Sequence, residues 1–161
     1  MKAAVLTVSD RVSRGAADDR SGDLLAALLE ADGYEVARRV VPDERDEIAA
    51  ALGELAAGSD VVLTTGGTGV APRDVTPEAT LSVIDRIVPG IPEALRADSL
   101  GKTPHGLLSR GVAGIAGGAL VVNLPGSPGG CRDGYAVLRP ALGHAVSLLR
   151  DERTAHRQTS A

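Results

Sequence analysis

Short apolar runs alternate with amphipathic segments along the chain. The runs Ala3–Val8, Val61–Thr64 and Ala119–Val122 have the length and β-branched content of buried strands. Between them, apolar residues recur at helical spacing, as in the segment 21–33, where leucines occupy positions i, i+1, i+4 and i+5. The alternation predicts an α/β fold, a three-layer α/β/α sandwich with a mostly parallel sheet.

Charged residues refine this picture in the first half of the chain. Val36–Val41 contains Arg38 and Arg39, which predicts a strand near an edge of the sheet. Ser9 to Arg20 is polar and is predicted to be a loop. Asp43 is expected to cap the next helix.

Prolines and glycines divide the second half. Thr76 with Pro77 predicts a helix start, since proline is tolerated in the first helical turn. We expect the inner face of this helix to carry Leu81, Ile84 and Val88. A further short helix is expected near 93–99 and a loop over 101–109. Two strands joined through Gly117-Gly118 predict a hairpin.

The last helix is predicted to start at Ser127-Pro128, with Ser127 as its cap. Its apolar positions recur at spacings of three and four, and Pro140 is expected to kink or split it. Residues 151–161 are charged without periodicity and are expected to be a frayed tail. Residues 1–150 are therefore predicted to form a single domain.

Composition excludes several classes of function. A net charge of −4 and the lack of a basic run argue against a nucleic-acid partner. With no Phe or Trp and two Tyr, the chain has no aromatic platform for stacking bases. No apolar run reaches the length of a membrane span, and Cys131 is the single cysteine, so we expect a cytoplasmic protein.

Two loops that follow strands carry the residues of chemical interest, Thr64–Asp74 and Asn123–Pro128. In open α/β sheets, ligands bind at the carboxyl ends of strands. The first loop contains Gly66-Gly67-Thr68-Gly69, which lets backbone N–H groups approach an anion but is equally compatible with a tight turn. It lacks the lysine of a phosphate-binding P-loop and the spacing of a dinucleotide fingerprint.

Asp74 and Asp43 both precede predicted helix starts, so each is either a cap or a ligand of Mg²⁺ bound together with substrate phosphates. Ser127 and Pro128 open a helix whose N-terminus favours an anion. The three histidines show no metal-ligand spacing. Cys131 lies on the apolar seam of the last helix, where a thiol is usually a core residue.

Taken together, the loops resemble the MoaB/Mog family of molybdenum-cofactor biosynthesis proteins, which includes bacterial molybdopterin adenylyltransferases and domains of fusion proteins such as gephyrin. The matching segments run in the family's order over about residues 1 to 150. They are Leu6–Asp10, Asp19–Gly22, Val41–Glu44, Thr64–Gly69, Arg73–Thr80, Ser109-Arg110 and Asn123–Pro128.

The resemblance implies a MoaB/Mog-like fold, a homotrimer or hexamer, and transfer of AMP from ATP to the terminal phosphate of molybdopterin with Mg²⁺. It implies that Asp43 and Asp74 are the catalytic and metal-binding residues. The substrates ATP and molybdopterin would then bind in one cleft. Its lining would be Ser9, Asp10, Thr65, Gly66, Gly67, Thr68, Gly69, Ser109, Arg110, Asn123, Pro125, Gly126 and Ser127.

Two other functions stay open. The chain is alternatively a molybdopterin-binding or scaffold module without turnover, or a nucleotide hydrolase similar to CinA, which the absence of a second domain argues against. Apolar faces on the first and last helices favour an oligomer. At the glycine loop, we expect Gly67→Val to weaken ATP binding with little change in thermal stability.

Overall fold

A computed structural model describes the backbone of residues 1–159 and the side chains of residues 1–151. The strands are β1 (Lys2–Val8), β2 (Glu35–Val41), β3 (Val61–Thr65), β4 (Arg86–Ile87), β5 (Ala113–Ala116) and β6 (Ala119–Leu124). The helices are α1 (Asp10–Ser13), α2 (Arg20–Ala31), α3 (Arg45–Gly58), α4 (Thr76–Leu81), α5 (Gly90–Leu100) and α6 (Pro128–Thr159), with a 3-10 helix at Pro104–Leu108.

In the described part of the chain the strands form one sheet of six, in the order β2-β1-β3-β6-β5-β4. The first four strands of that order are parallel, and β5 is antiparallel to both β6 and β4. Parallel neighbours end at the same edge, so the loops after β1, β2, β3 and β6 meet there. The mostly parallel sheet is as predicted.

Helices cover both faces of this sheet. Alternate β1 residues face opposite sides, with Val5 packing in the core that holds α2 and α6, and Leu6 in the core that holds α3 and α4. The central strand β3 is buried along its whole length, as its uninterrupted apolar run predicts. The three-layer sandwich is therefore confirmed.

Several local predictions are confirmed. β2, with its two arginines, is an edge strand. Gly117 and Gly118 both have positive φ, 55° and 88°, which is the conformation that a two-residue hairpin turn requires. Pro77 lies in the first turn of α4, and Ser127 Oγ accepts the N–H of Gly130 at 3.1 Å at the start of α6.

Several expectations about local structure were wrong, including the loop over 101–109, which contains the 3-10 helix. The loop predicted over 9–20 contains the short helix α1, which Ser9 caps through the N–H of Val12. Asp43 does not cap α3, whose N-cap residue is Glu44 without a side-chain hydrogen bond. α4 ends at Leu81 instead of continuing to Val88, and Leu81 is 51% exposed while Ala79 and Thr80 are the buried residues of that turn. The last helix is not split at Pro140, and its helical backbone extends to Thr159. Residues 160 and 161 lie outside the described residues, and the frayed tail over 151–161 stays a prediction.

The apolar faces of α2 and α6 also differ from expectation. Their buried residues, including Leu25, Leu29, Leu138 and Leu142, belong to the core against the sheet and not to an exposed surface. Large exposed apolar side chains lie instead mainly on other segments, such as Leu107 and Leu108 of the 3-10 helix. These helix faces therefore give no support to an oligomer.

Candidate active site

A cavity of about 610 Å³ opens at the carboxyl ends of the parallel strands. One wall is the glycine loop after β3, a second is the segment that joins β6 to α6, and a third comes from α5 and the 3-10 helix. Nine of the residues predicted from the sequence line it: Gly67, Thr68, Gly69, Asp74, Ser109, Asn123, Pro125, Gly126 and Ser127. The lining excludes six others: Ser9, Asp10, Asp43, Thr65, Gly66 and Arg110.

The glycine loop requires its first two glycines for steric reasons. Gly66 and Gly67 have φ of 100° and 66°, in the left-handed region that other residues rarely adopt. A Cβ on Gly66 would collide with the Val8 carbonyl oxygen, and one on Gly67 with Thr76 Oγ1. The expectation that Gly67→Val leaves stability almost unchanged was therefore wrong, since both strain and collision oppose a side chain there.

Asp74 closes the loop and faces the cavity. Its Oδ2 accepts the N–H of Ala71 at 3.0 Å, which holds the carboxylate against its own loop. A Cβ on Gly69 would lie 2.9 Å from the same Oδ2, so a glycine at this position leaves room for the carboxylate. Local sequence thus fixes the direction in which Asp74 points.

Asp43 and Asp10 are joined by two hydrogen bonds, each from the backbone N–H of one residue to the carboxylate of the other. The Asp10 N–H donates to Asp43 Oδ2 at 2.8 Å, and the Asp43 N–H donates to Asp10 Oδ1 at 3.1 Å. This exchange becomes possible because β1 and β2 are paired with Val8 opposite Val41, which places both aspartates two residues beyond the strand ends. Asp43 is outside the cavity lining, yet its Oδ1 lies 3.3 Å from the Cβ position of Gly67.

The carboxyl group of Asp43 is in an unfavourable environment for its charge. Burial raises its pKa, and the neighbouring carboxylates of Asp10 and Asp74 raise it further. The pKa of Asp10, in contrast, is lowered, chiefly by its hydrogen bond with Arg73. A buried carboxylate with like-charged neighbours is suited to binding a cation.

This environment predicts a stabilising mutation. A carboxyl group whose folded-state pKa is raised contributes stability below its unfolded pKa and loses that contribution as the pH rises through the folded value. Asp43→Asn should therefore have an equal or higher Tm than the wild type at pH 7, with the difference fading as the pH falls below about 4. Thermal melts at both pH values test this, and a lower Tm at pH 7 only would contradict it.

Two carboxylates near the glycine loop, Asp43 and Asp74, each have one oxygen that is not used in a hydrogen bond. In both Asp43 and Asp74, Oδ2 accepts a backbone N–H, while Oδ1 accepts no hydrogen bond from any described residue. Within the described residues, no group of three or more His, Cys, Asp or Glu side chains is arranged to hold a metal ion. Asp43 and Asp74 are thus the carboxylates near the glycine loop that could contribute oxygen ligands to a cation.

Arg110 contacts the glycine loop and not the cavity. Its backbone N–H donates to the Thr68 carbonyl at 2.9 Å, and Nε donates to the Gly69 carbonyl at 2.7 Å. The terminal nitrogens contact the Asp74 carbonyl and the Glu78 carboxylate. All of its side-chain nitrogens thus contact protein groups, so Arg110 is placed to shape the loop.

Asn123 and Thr65, also predicted to line the cleft, use their side chains inside the fold. Asn123 Nδ2 donates to Thr64 Oγ1 at 3.1 Å and to Thr80 Oγ1 at 2.9 Å, while Oδ1 accepts the Val112 N–H at 3.2 Å. Thr65 Oγ1 donates to the Pro125 carbonyl at 2.7 Å. These bonds fix the two loops relative to each other, and the Asn123 side chain is therefore engaged within the fold although the residue lines the cavity.

Sequence reasoning missed the third wall of the cavity, which includes Leu95, Lys102, His105 and Leu108. Lys102 Nζ lies 2.7 Å from Asp98 and 3.0 Å from Asp133, so the wall joins α5 to α6 through an ion pair. The segment 101–108 shows no periodicity and has a scattered histidine, so no local signal marks it as part of a site.

The buried thiol of Cys131 lies beneath the cavity. Burial raises its pKa to about 11, and Sγ lies 3.0 Å from the Pro125 carbonyl oxygen. The thiol is therefore protonated at neutral pH and should be unreactive in the folded protein. We expect Ellman's reagent at pH 8 to label the chain only after denaturation, and rapid labelling of the native protein would contradict this.

No helix in the described part of the chain combines the length and apolar character that crossing a membrane requires.

Comparisons with known proteins agree with this architecture. The family model described as "Probable molybdopterin binding domain" matches residues 4–144. The chain is 40% identical to molybdopterin adenylyltransferase of Helicobacter pylori J99 over 150 residues, which cover 90% of this chain and 85% of that protein. It is 38% identical over 161 residues to the molybdenum cofactor synthesis protein cinnamon of Drosophila melanogaster, covering 98% of this chain but only 27% of that longer relative.

Among solved structures, the molybdopterin biosynthesis enzyme MoaB of Thermus thermophilus superposes with a TM-score of 0.86 at 46% identity, covering 92% of this chain and 95% of that chain. The family model spans most of the sequence, and the structural similarity also covers most of the chain. The chain therefore belongs to the MoaB/Mog family of molybdenum-cofactor biosynthesis proteins.

Proposed function

We propose that the chain is a molybdopterin adenylyltransferase that transfers AMP from ATP to the terminal phosphate of molybdopterin. One observation carries the proposal: the carboxylates of Asp43 and Asp74 approach the glycine loop of the cavity at Gly67 and at Gly69, and each keeps one oxygen that accepts no hydrogen bond from a described residue. The relative in Helicobacter pylori, named for this activity, covers most of the chain and supports the same assignment.

The reaction suits these residues because it requires little proton transfer. An oxygen of the pterin phosphate attacks the α-phosphorus of ATP, a new P–O–P bond forms, and the bond to the β-phosphate breaks, so that pyrophosphate leaves. The attacking phosphate is already anionic at neutral pH, and no general base is needed. The enzyme must align the two phosphates and offset their negative charge.

Each part of the site has a role in that alignment. Gly67–Gly69 and the N-terminus of α6 at Ser127 line the cavity, where their backbone N–H groups would bind phosphate oxygens. Asp74 and Asp43 would hold Mg²⁺, which supplies charge neutralisation on the phosphates when bound. Arg110 keeps the carbonyl groups of the loop turned away from the anions.

Pyrophosphate release separates the three functions still open. An adenylyltransferase should release pyrophosphate from ATP and Mg²⁺ only when molybdopterin is present. A pterin-binding module should release none under either condition, and a nucleotide hydrolase should turn over ATP without the pterin. A coupled pyrophosphate assay, with and without molybdopterin, makes this comparison. Release independent of the pterin would overturn the proposal.

We also propose that the active protein is a cytoplasmic homotrimer or hexamer. The resemblance to the family supports this assembly, and closed symmetry is the usual arrangement for soluble oligomers. Light scattering at micromolar concentration should give three or six times the 16.3 kDa of one chain. A mass near that of one chain would contradict it.

A further inference from the structure

Arg73 joins the three loops that carry the carboxylates of the site. It follows the glycine loop of β3 and directly precedes Asp74. Its Nε donates to Asp10 Oδ2 at 2.6 Å, and a terminal nitrogen donates to Asp10 Oδ1 at 3.0 Å. The same terminal nitrogen donates to Glu44 Oε1 at 2.9 Å, in the loop that holds Asp43. We refer to these contacts with Asp10 and Glu44 as the Arg73 bridge.

The Arg73 bridge offsets the negative charge of carboxylates that the fold holds close together. The backbone N–H of each of Asp10 and Asp43 donates to the carboxylate of the other, so the two carboxylates are held close together although their charges repel. Arg73 approaches Asp10 with the paired geometry in which a guanidinium binds a carboxylate most strongly. Without this cation, Asp10 and Glu44 would flank Asp43 with uncompensated negative charge. The two hydrogen bonds between Asp10 and Asp43 would then be weakened.

The guanidinium is engaged by protein groups and is absent from the cavity lining, which argues against a direct contact with phosphate. A contribution to overall stability does not explain the Arg73 bridge either. The Arg73 side chain is 54% exposed, and exposed ion pairs add little to the free energy of unfolding. What the bridge does constrain is the position of Asp43 relative to Asp74, because Arg73 is covalently next to one and reaches the other through Asp10.

We propose that Arg73 is a positioning residue for the adenylyl transfer, holding Asp43 and Asp74 at a fixed separation by anchoring Asp10. This inference rests on the proposed function for its consequence in catalysis, but its structural part is independent of that function. A displacement of about 1 Å in a reacting group lowers a rate by about 10²-fold. Loss of the bridge should therefore affect turnover much more than folding.

Arg73→Ala in the full chain is the first test. We expect turnover to fall by about 10- to 100-fold, and the Mg²⁺ concentration that gives half-maximal turnover to rise. The Tm should change by less than about 3 °C. Arg73→Lys keeps the charge but loses the paired geometry, so it should restore part of the loss. The matched control is Arg39→Ala, which removes the exposed ion pair between Arg39 of the edge strand and Glu54. It should alter neither turnover nor its Mg²⁺ dependence, and Tm should stay close to that of the wild type.

Amide hydrogen exchange gives a readout that needs no activity. The N–H groups of Asp10 and Asp43 are the donors of the two hydrogen bonds that join these residues. In Arg73→Ala they should exchange about tenfold faster or more, while the amides of β1 and β3 keep their protection. A faster exchange throughout the sheet would show that Arg73 is merely structural and would overturn the proposal.

A double-mutant cycle completes the test. If Arg73 acts through the position of Asp43, adding Arg73→Ala to Asp43→Asn should cause little further loss of turnover, and additive losses would contradict this route. Unchanged turnover and unchanged exchange in Arg73→Ala would also overturn the proposal. If the wild type forms no adenylyl-molybdopterin, the proposed function fails. Amide hydrogen exchange at Asp10 and Asp43 still decides whether Arg73 holds these two residues in place.

Discussion

Replacing Asp74 by Asn is expected to lower turnover by about 10²-fold or more, the scale on which a preorganised charge stabiliser contributes. The structure makes this substitution informative, because an asparagine oxygen retains the acceptor for the Ala71 N–H. The loop should therefore keep its shape and lose only the charge. Pterin binding should be close to that of the wild type, and Tm should change little.

A matched control separates charge at the site from charge in general. Asp18→Asn removes one carboxylate from an exposed loop residue and should leave turnover unchanged. Initial rates with ATP and molybdopterin across a Mg²⁺ series measure both variants. Near-normal turnover of Asp74→Asn at saturating Mg²⁺ would mean that Asp74 serves only to shape the loop.

Gly67→Val is expected to abolish turnover and to destabilise the fold by about 1–3 kcal/mol, the cost of one strained backbone position. The φ of 66° is unfavourable for a branched residue, and its Cβ would collide with Thr76 Oγ1. Thr76 Oγ1 in turn donates to the Gly66 carbonyl at 2.9 Å, so the collision disturbs the start of α4 as well as the loop.

Gly53→Val is the control for this glycine. Gly53 lies in α3 with no atom within 4 Å of its Cβ position and without a positive φ. Its substitution should leave the unfolding free energy within about 0.5 kcal/mol of the wild type. Urea unfolding measures both variants. If Gly67→Val has the stability of Gly53→Val, the steric interpretation of the glycine loop is wrong.

The sequence predicts the elements that depend on local pattern. Uninterrupted apolar runs identify β1, β3 and β6, the paired glycines 117 and 118 identify the hairpin, and Thr76-Pro77 identifies the start of α4. The edge position of β2 follows from its two arginines, since central strands of a covered sheet are apolar. These features need no knowledge of distant residues.

What the sequence cannot predict depends on contacts between distant segments. Asp43 has the position of a helix cap, but the N–H of Asp10, 33 residues away, takes its Oδ2 instead. Arg110 has the chemistry of a phosphate ligand, but its nitrogens are used by Gly69, Asp74 and Glu78. The third wall of the cavity depends on how α5 packs against α6, and no residue within 101–108 signals that packing.

Mass spectrometry of the pterin after incubation with ATP and Mg²⁺ tests the proposed function most directly. The wild type should convert molybdopterin to a species heavier by one adenylyl group, with one pyrophosphate formed for each. Asp74→Asn should form that product about 10²-fold more slowly. A pterin that binds to the protein but is recovered without the adenylyl group would contradict adenylyl transfer and identify the chain as a molybdopterin-binding module.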